Sequence, residues 1–196
     1  MPLGAHKAAM MGTAGVSTDN IVLLQTQTAD GDDNVAFTAN ITSAYPMYIF
    51  RFYNINPGTD EPYFEFQVDD NAGNNGYNDF NITSTFWETS ISEAGSGNTA
   101  YTGGRDSAQS TAYNDITVAI GSGADESFAG ELHLFNPAST VYAKHFMSKT
   151  HGYYSGNQAI LVHAAGYINT TTAINAINFK FTAGNFDGKI KMWGVK

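Results

Sequence analysis

The chain predicts an all-β protein: an antiparallel β-sandwich of jelly-roll type, with about nine or ten strands and a short N-terminal arm or helix. Two observations carry that expectation. Composition is the first, with 13 Phe, 11 Tyr and 2 Trp but only 14% charged residues, against an ordinary charged share of about 25%. Aromatics, Thr, Asn and Gly suit sheets rather than helices. The second is a period-two alternation of apolar and polar residues, repeated between turns rich in Gly, Asn and Pro. At 196 residues the chain is long enough for one real core, since about 150 residues already bury roughly 70% of their unfolded surface. The expected division is an arm over residues 1–19 and a single sandwich over residues 20–196.

Taken in order, the opening carries Lys7 and a weakly apolar run from Ala8 to Val16, but Gly12 and Gly15 interrupt it. It falls short of a secretory leader. Leu3 to Met11 reads as a short helix or an extended arm, whose small residues and Met suit packing on another subunit. Strands are expected at Ile21 to Thr26 and Val35 to Ala39, around a polar turn from Ala29 to Asn34. Met47 to Ile55 is apolar on both faces, as befits the middle of a sandwich. After the Pro- and Gly-containing loop Asn56 to Pro62, Tyr63 to Asp69 turns Phe64, Phe66 and Val68 toward a core. Tyr77 to Ile91 holds one long strand or two short ones. Ser92 to Ala112, nearly all small and polar, reads as a long exposed loop. Further strands are expected at Asn114 to Ile120, Phe128 to Phe135, Val141 to Met147 and Gln158 to Tyr167. The last stretch, Ala173 to Lys196, reads as a hairpin turning at Ala183-Gly184-Asn185. Its first strand sets Ile177, Phe179 and Phe181 against Asn178 and Lys180, and its second sets Ile190 and Met192 against Lys189, Lys191 and Trp193.

Charge is unevenly placed within a net −9. From Asp30 to Glu131 there are 16 carboxylates against Arg51 and Arg105, whereas from Leu132 onward six Lys face Asp187 alone. If these halves reach different faces, the molecule acquires a dipole able to orient it against neighbours. No basic run is dense enough to neutralise several phosphates, so nucleic acid is not an expected partner. No run approaches the ~20 apolar residues of a membrane span, so no membrane insertion is expected.

The chemistry expected is sparse, with no catalytic residue and no cofactor-binding residue assigned. With no Cys, disulfide staples, thiolate metal sites and a Cys nucleophile are excluded. Gly95 to Ala100 matches a dinucleotide fingerprint only loosely, because Gly103 and Gly104 stand where a helix must begin. Gly152 to Gly156 resembles a nucleophile elbow in outline, with Ser155 one place late. His133, His145, His151 and His163 are too far apart for a cupin-type metal pair and read as strand residues. Glu65 and Glu131 are conceivable as a glycosidase pair, with nothing to fix their separation. Calcium is the one ion the loops admit, through Asp30, Asp32 and Asp33, or through Asp69 and Asp70 with Asn71.

Three runs carry a resemblance: Asp125 to Pro137 (DESFAGELHLFNP), Gly166 to Ile174 (GYINTTTAI) and Phe179 to Val195, together with the small-residue opening Leu3 to Ala9. They are similar to structural proteins of tailed, mainly marine, bacteriophages, in which a final strand of hydrophobic, Lys, aromatic, Gly and aliphatic residues closes a β-sandwich. The resemblance implies a non-enzymatic virion component, assembled in the host cytoplasm and displayed as a capsid decoration or a short tail appendage or spike. Its partners would be other virion proteins and copies of itself, a homotrimer first. The alternative is a carbohydrate-binding module of a tail fibre, recognising a host-surface glycan by stacking Trp87, Tyr153 or Tyr154 on sugar rings.

Overall fold

The computed structural model describes residues 20–70, 76–154 and 156–196. The expected arm over residues 1–19, with Asn71 and Ser155, lies outside the described residues. The described residues form strands β1 (Ile21–Asp32), β2 (Asn34–Phe37), β3 (Met47–Pro57), β4 (Phe64–Asp69), β5 (Ile82–Ser92), β6 (Gly97–Tyr101), β7 (Asn114–Asp115), β8 (Phe128–Phe135), β9 (Lys144–Tyr154), β10 (Gln158–Ile168), β11 (Ala176–Phe181) and β12 (Phe186–Val195). A single 3-10 turn at Gly103–Arg105 is the helical exception. The protein is all-β, with two antiparallel sheets packed as a sandwich.

The larger sheet has eight strands in the order β1-β12-β3-β8-β9-β10-β5-β6, and the smaller has four in the order β2-β11-β4-β7. A nested set of pairs runs through both: β1 with β12, β2 with β11, β3 with β8, and β4 with β7. The chain therefore runs like one long ribbon doubled back on itself, its turns carrying it from one sheet to the other. The β5-β6 hairpin and the β9-β10 hairpin are additions that widen the larger sheet.

Between the sheets lies a core of phenylalanines, because alternate residues of each inner strand face inward. Phe64 on β4 and Phe179 on β11 are fully buried at its centre. Phe64 meets Phe52, Phe128, Phe179, Phe181 and Phe186 at centroid separations of 4.9 to 6.0 Å, mostly edge to face. That geometry sets the positive edge of one ring against the negative face of the next. A second, smaller cluster of Phe86, Val118, Ile160, Val162 and Ala164 fills the space under the strands that the smaller sheet does not cover.

Several sequence expectations need correction. The closing stretch is not a hairpin within one sheet: β11 pairs with β2 and β4, whereas β12 pairs with β1 and β3. The turn at residues 182–185 instead crosses between layers, with Gly184 at φ +74° and the Phe181 and Phe186 rings 5.7 Å apart across the gap. Both strands bury a face, which a period-two pattern registers without saying against which sheet. Residues 29–32 end a long β1, where a register shift between Asp30 and Asp32 absorbs most of the polar run, so the expected turn narrows to Asp33 before β2 begins at Asn34. The small-residue stretch after Ser92 includes β6, held to β5 by backbone pairing and needing no buried side chain. β9 continues seven residues past Met147, through Lys149 and His151, which face out of the sheet.

Candidate functional site

The outer face of the eight-stranded sheet is organised in rows. Antiparallel register aligns outward side chains across neighbouring strands, so residues far apart in sequence stand side by side. Two rows near the start of β1 are apolar: Ile21, Val195, Met47, Phe135, His145 and Tyr167, and then Leu23, Trp193, Ile49, His133, Met147 and Ala165. They hold no Asp, Glu, Lys or Arg. Exposure is high for Ile21 at 51%, Leu23 at 45% and Met147 at 57%. The next row is charged and then aromatic: Lys191, Arg51, Glu131, Lys149, His163, Trp87 and Tyr101.

From that row onward a furrow crosses the strands as three open grooves, each sharing a lining residue with the next. The first, of about 420 Å³, lies between β12 and β3 and is lined by Tyr53, Lys189 and Lys191. The second, of about 510 Å³, spans β3 to β10 and is lined by Arg51, Tyr53, Glu131, Lys149, His151 and Leu161. The third, of about 450 Å³, takes in Glu93, Asp125, His151, Tyr153, Asn157 and Gln158. Tyr53 lines both of the first two and His151 both of the last two. The middle groove is open and shallow, and β8 contributes only the small Ala129 and Gly130 beside Glu131 to its lining. A Cβ at Gly130 would stand 2.7 Å from Thr150 Cα and closer still to the Lys149 carbonyl, so the close approach of β8 to β9 requires glycine.

Glu131 is the acid at the centre. Its Oε2 lies 3.4 Å from Arg51 Nε and its Oε1 lies 2.9 Å from His133 Nε2. The Arg51 guanidinium lies 5.8 Å from the Trp193 ring and the Lys191 amine 5.4 Å from the Tyr53 ring. These contacts hold long side chains along the face while leaving Lys149 and Lys189 exposed.

Acids gather at the end of the sandwich past the furrow. Asp30, Asp32 and Asp33 at the end of β1, Asp60 and Glu61 after β3, Glu93 after β5, and Asp125 and Glu126 before β8 share this end with Asp187. Cross-links between loops fix them there: Gly31 N–H donates to Asp187 Oδ1 at 2.7 Å, and Ser122 N–H to Asp60 Oδ1 at 3.3 Å. The uneven charge of the sequence thus becomes an acidic end beside a sheet face rich in Lys and Arg.

The outer side of the smaller sheet is closed by polar contacts. Gln67, fully buried, donates to the carbonyls of Thr111 and Ala112, both at 3.0 Å, and ties down the segment leading into β7. Glu65 pairs with Lys180 at 3.2 Å and Asp115 with Arg105 at 3.1 Å, the Arg105 guanidinium lying flat on Tyr63. Burial raises the Glu65 and Asp115 carboxyls above their ordinary ranges, against the lowering effect of these cations. Burial, with the neighbouring Tyr77 and Glu65, pushes the Tyr113 hydroxyl up to about 12.

The sequence candidates are dispersed. Glu65 and Glu131 lie on opposite outer faces of the sandwich and do not form a carboxylate pair. Asp30 and Asp32 are strand residues, and the Asp32 carboxylate accepts from the Asp30 N–H at 3.1 Å. Asp69 is a buried β4 residue and Asp70 follows it, its carbonyl accepting from Asn175 at 3.0 Å. Among the described residues no three His, Asp or Glu side chains gather in a way that would hold a metal ion. The Gly95 to Ala100 run forms the β5-β6 turn and edge strand. Trp87 is 47% exposed on the outer face, as stacking on a ligand needs. Tyr153 lines the third groove and bonds Asn157 at 3.1 Å, whereas Tyr154 packs on the smaller core cluster.

No sequence reading assigned Arg51, Tyr53, Glu131, Lys149 and His151 to one place. The available signal was the spacing of Arg51 and Tyr53, Glu131 and His133, Lys149 and His151, and Lys189 and Lys191, each pair two residues apart on the solvent side of a strand. Among the described residues no helix is long and apolar enough to cross a membrane. Neither the protein-family models nor the curated proteins give a match to this chain.

Proposed function

We infer that this is a jelly-roll assembly protein, non-enzymatic and built to be held beside copies of itself on a phage particle. The nested pairs β1·β12, β2·β11, β3·β8 and β4·β7 support the jelly-roll reading, since that fold is a doubled ribbon wound into two sheets. The observation that carries the assembly reading is the pair of mostly apolar rows on the larger sheet, free of Asp, Glu, Lys and Arg. The net charge of −9 sets a background repulsion between copies, strongest at the acidic end. These rows can meet an identical surface without like charges coming together, so a second copy is the occupant they suit. Val141 and Tyr142, 67% and 74% exposed beside the start of β9, add apolar surface at the same margin. The virion placement rests on the resemblance of the strand and turn runs.

Sedimentation or light scattering tests the assembly reading. The expected mass is a multiple of 21.1 kDa, a trimer first, with Leu23→Glu and Met147→Glu returning it to one copy. A wild-type chain that stays monomeric at about 50 μM, a concentration where interfaces of standard size are filled, refutes it. Peptides of this chain in purified particles test the virion placement, and their absence refutes that part alone.

A further inference from the structure

We propose that the furrow across the larger sheet binds a linear, partly acidic polysaccharide. This goes beyond self-assembly and uses rows that the apolar contact leaves open.

Shape comes first. Three grooves, neighbours sharing Tyr53 and then His151 in their linings, succeed one another across β12, β3, β8, β9, β10 and β5. With strands about 4.8 Å apart, that path is on the order of 24 Å long. Repeated compartments along an open path suit a chain of similar rings rather than one compact molecule. The exposed Tyr53 ring shared by the first two grooves presents a flat face with a polar tip, as stacking on a sugar ring requires.

Charge then selects the kind of chain. Lys189, Lys191, Arg51 and Lys149 line the first two grooves against Glu131 alone, on a molecule whose net charge is −9. Carboxylate or sulfate groups on the sugar suit that half. In the third groove Glu93, Asp125, Asn157 and Gln158 offer acceptors and amides for hydroxyl groups, and their carboxylates repel a further anion. The occupant is therefore a polysaccharide with acidic sugars over β12 to β9 and neutral ones toward β5. A nucleic acid fits poorly, because each of its links carries a phosphate and one end of the path is acidic.

The test is retardation of the full chain in gels containing hyaluronan, unsulfated chondroitin, gellan or κ-carrageenan, which mix acidic and neutral sugars, followed by titration calorimetry with oligosaccharides of any that retard it. At least one acidic polysaccharide should bind at least tenfold tighter than neutral cello-oligosaccharides. Tyr53→Ala and Lys149→Ala should each weaken it tenfold or more with unchanged melting temperature, while Tyr53→Phe and Lys149→Arg retain it. The proposal is overturned if none of the four retards the protein, if neutral cello-oligosaccharides or single-stranded DNA of matched length bind as tightly, or if both alanine variants bind like the wild type. A monomeric mass would overturn the assembly reading and leave this binding intact, so the two fail separately.

Discussion

Replacing Phe64 by alanine removes the ring at the centre of the core. Phe64 is fully buried and touches five other phenylalanine rings, the nearest at 4.9 Å. Truncating a buried Phe costs about 3–5 kcal/mol, from lost transfer energy and the cavity left behind. Rings on both sheets surround this cavity, and β-strands tied into ladders relax little, so the upper part of that range, about 4–5 kcal/mol, is expected. For a domain of this size each kcal/mol lowers Tm by about 2–4 °C, which gives a drop of about 8–20 °C. Urea unfolding followed by circular dichroism measures it, at fixed protein concentration because self-association couples to stability. Trp87→Ala, removing a larger but half-exposed ring, serves as the comparison and should cost no more than about 0.5–1 kcal/mol. A Phe64→Ala loss below about 1.5 kcal/mol, or equal losses for the two variants, would refute the account of what holds the sheets together.

Three further outcomes are expected. Burial raises the Asp115 carboxyl above its ordinary 3.8, so its contribution to stability is full below that value and is lost as pH rises through the raised one. Asp115→Asn cannot ionise, so its stability relative to wild type should improve from about pH 3 to about pH 7 in urea titrations; a falling difference contradicts the assignment. Burial lowers the Lys144 amine below its ordinary 10.5, its Nζ donating to the Thr170 carbonyl at 3.1 Å. The wild type should therefore gain stability relative to Lys144→Met as pH climbs toward 10.5, and melting curves that keep a constant difference contradict the assignment. Gly130→Val, which forces β8 away from Thr150, should cost about 2–3 kcal/mol, and a melting temperature like that of wild type would show that the strands part easily.

The fold class was legible because inward phenylalanines recur at period two in β3, β4 and β11, and Phe128 to Phe135 matches β8 residue for residue. Strand pairing was not legible in the same way. Phe179 and Ile190 are both inward residues of buried strands, and nothing in their spacing tells that one joins the smaller sheet and the other the larger. β6 escaped notice because residues such as Thr99 have no apolar side to declare a strand, and the strand expected over Asn114 to Ile120 shrinks to β7, Asn114–Asp115. The furrow was the least legible part. Arg51, Glu131 and Lys149 lie 80 and 18 positions apart in sequence and become neighbours only when register aligns β3, β8 and β9. Each looks like an ordinary solvent residue of its own strand until that alignment is known.

The pairing of Ile21 with Val195 ties the two extremes of the described chain together. While β12 is still inside the ribosome, β1 and β3 have no strand between them, and both carry unpaired backbone groups with apolar neighbours. β12 must therefore emerge before the larger sheet can be completed, and the waiting chain is open to premature pairing with another copy. Factors that shield this gap would help until the ten residues of β12, Phe186–Val195, slot into place.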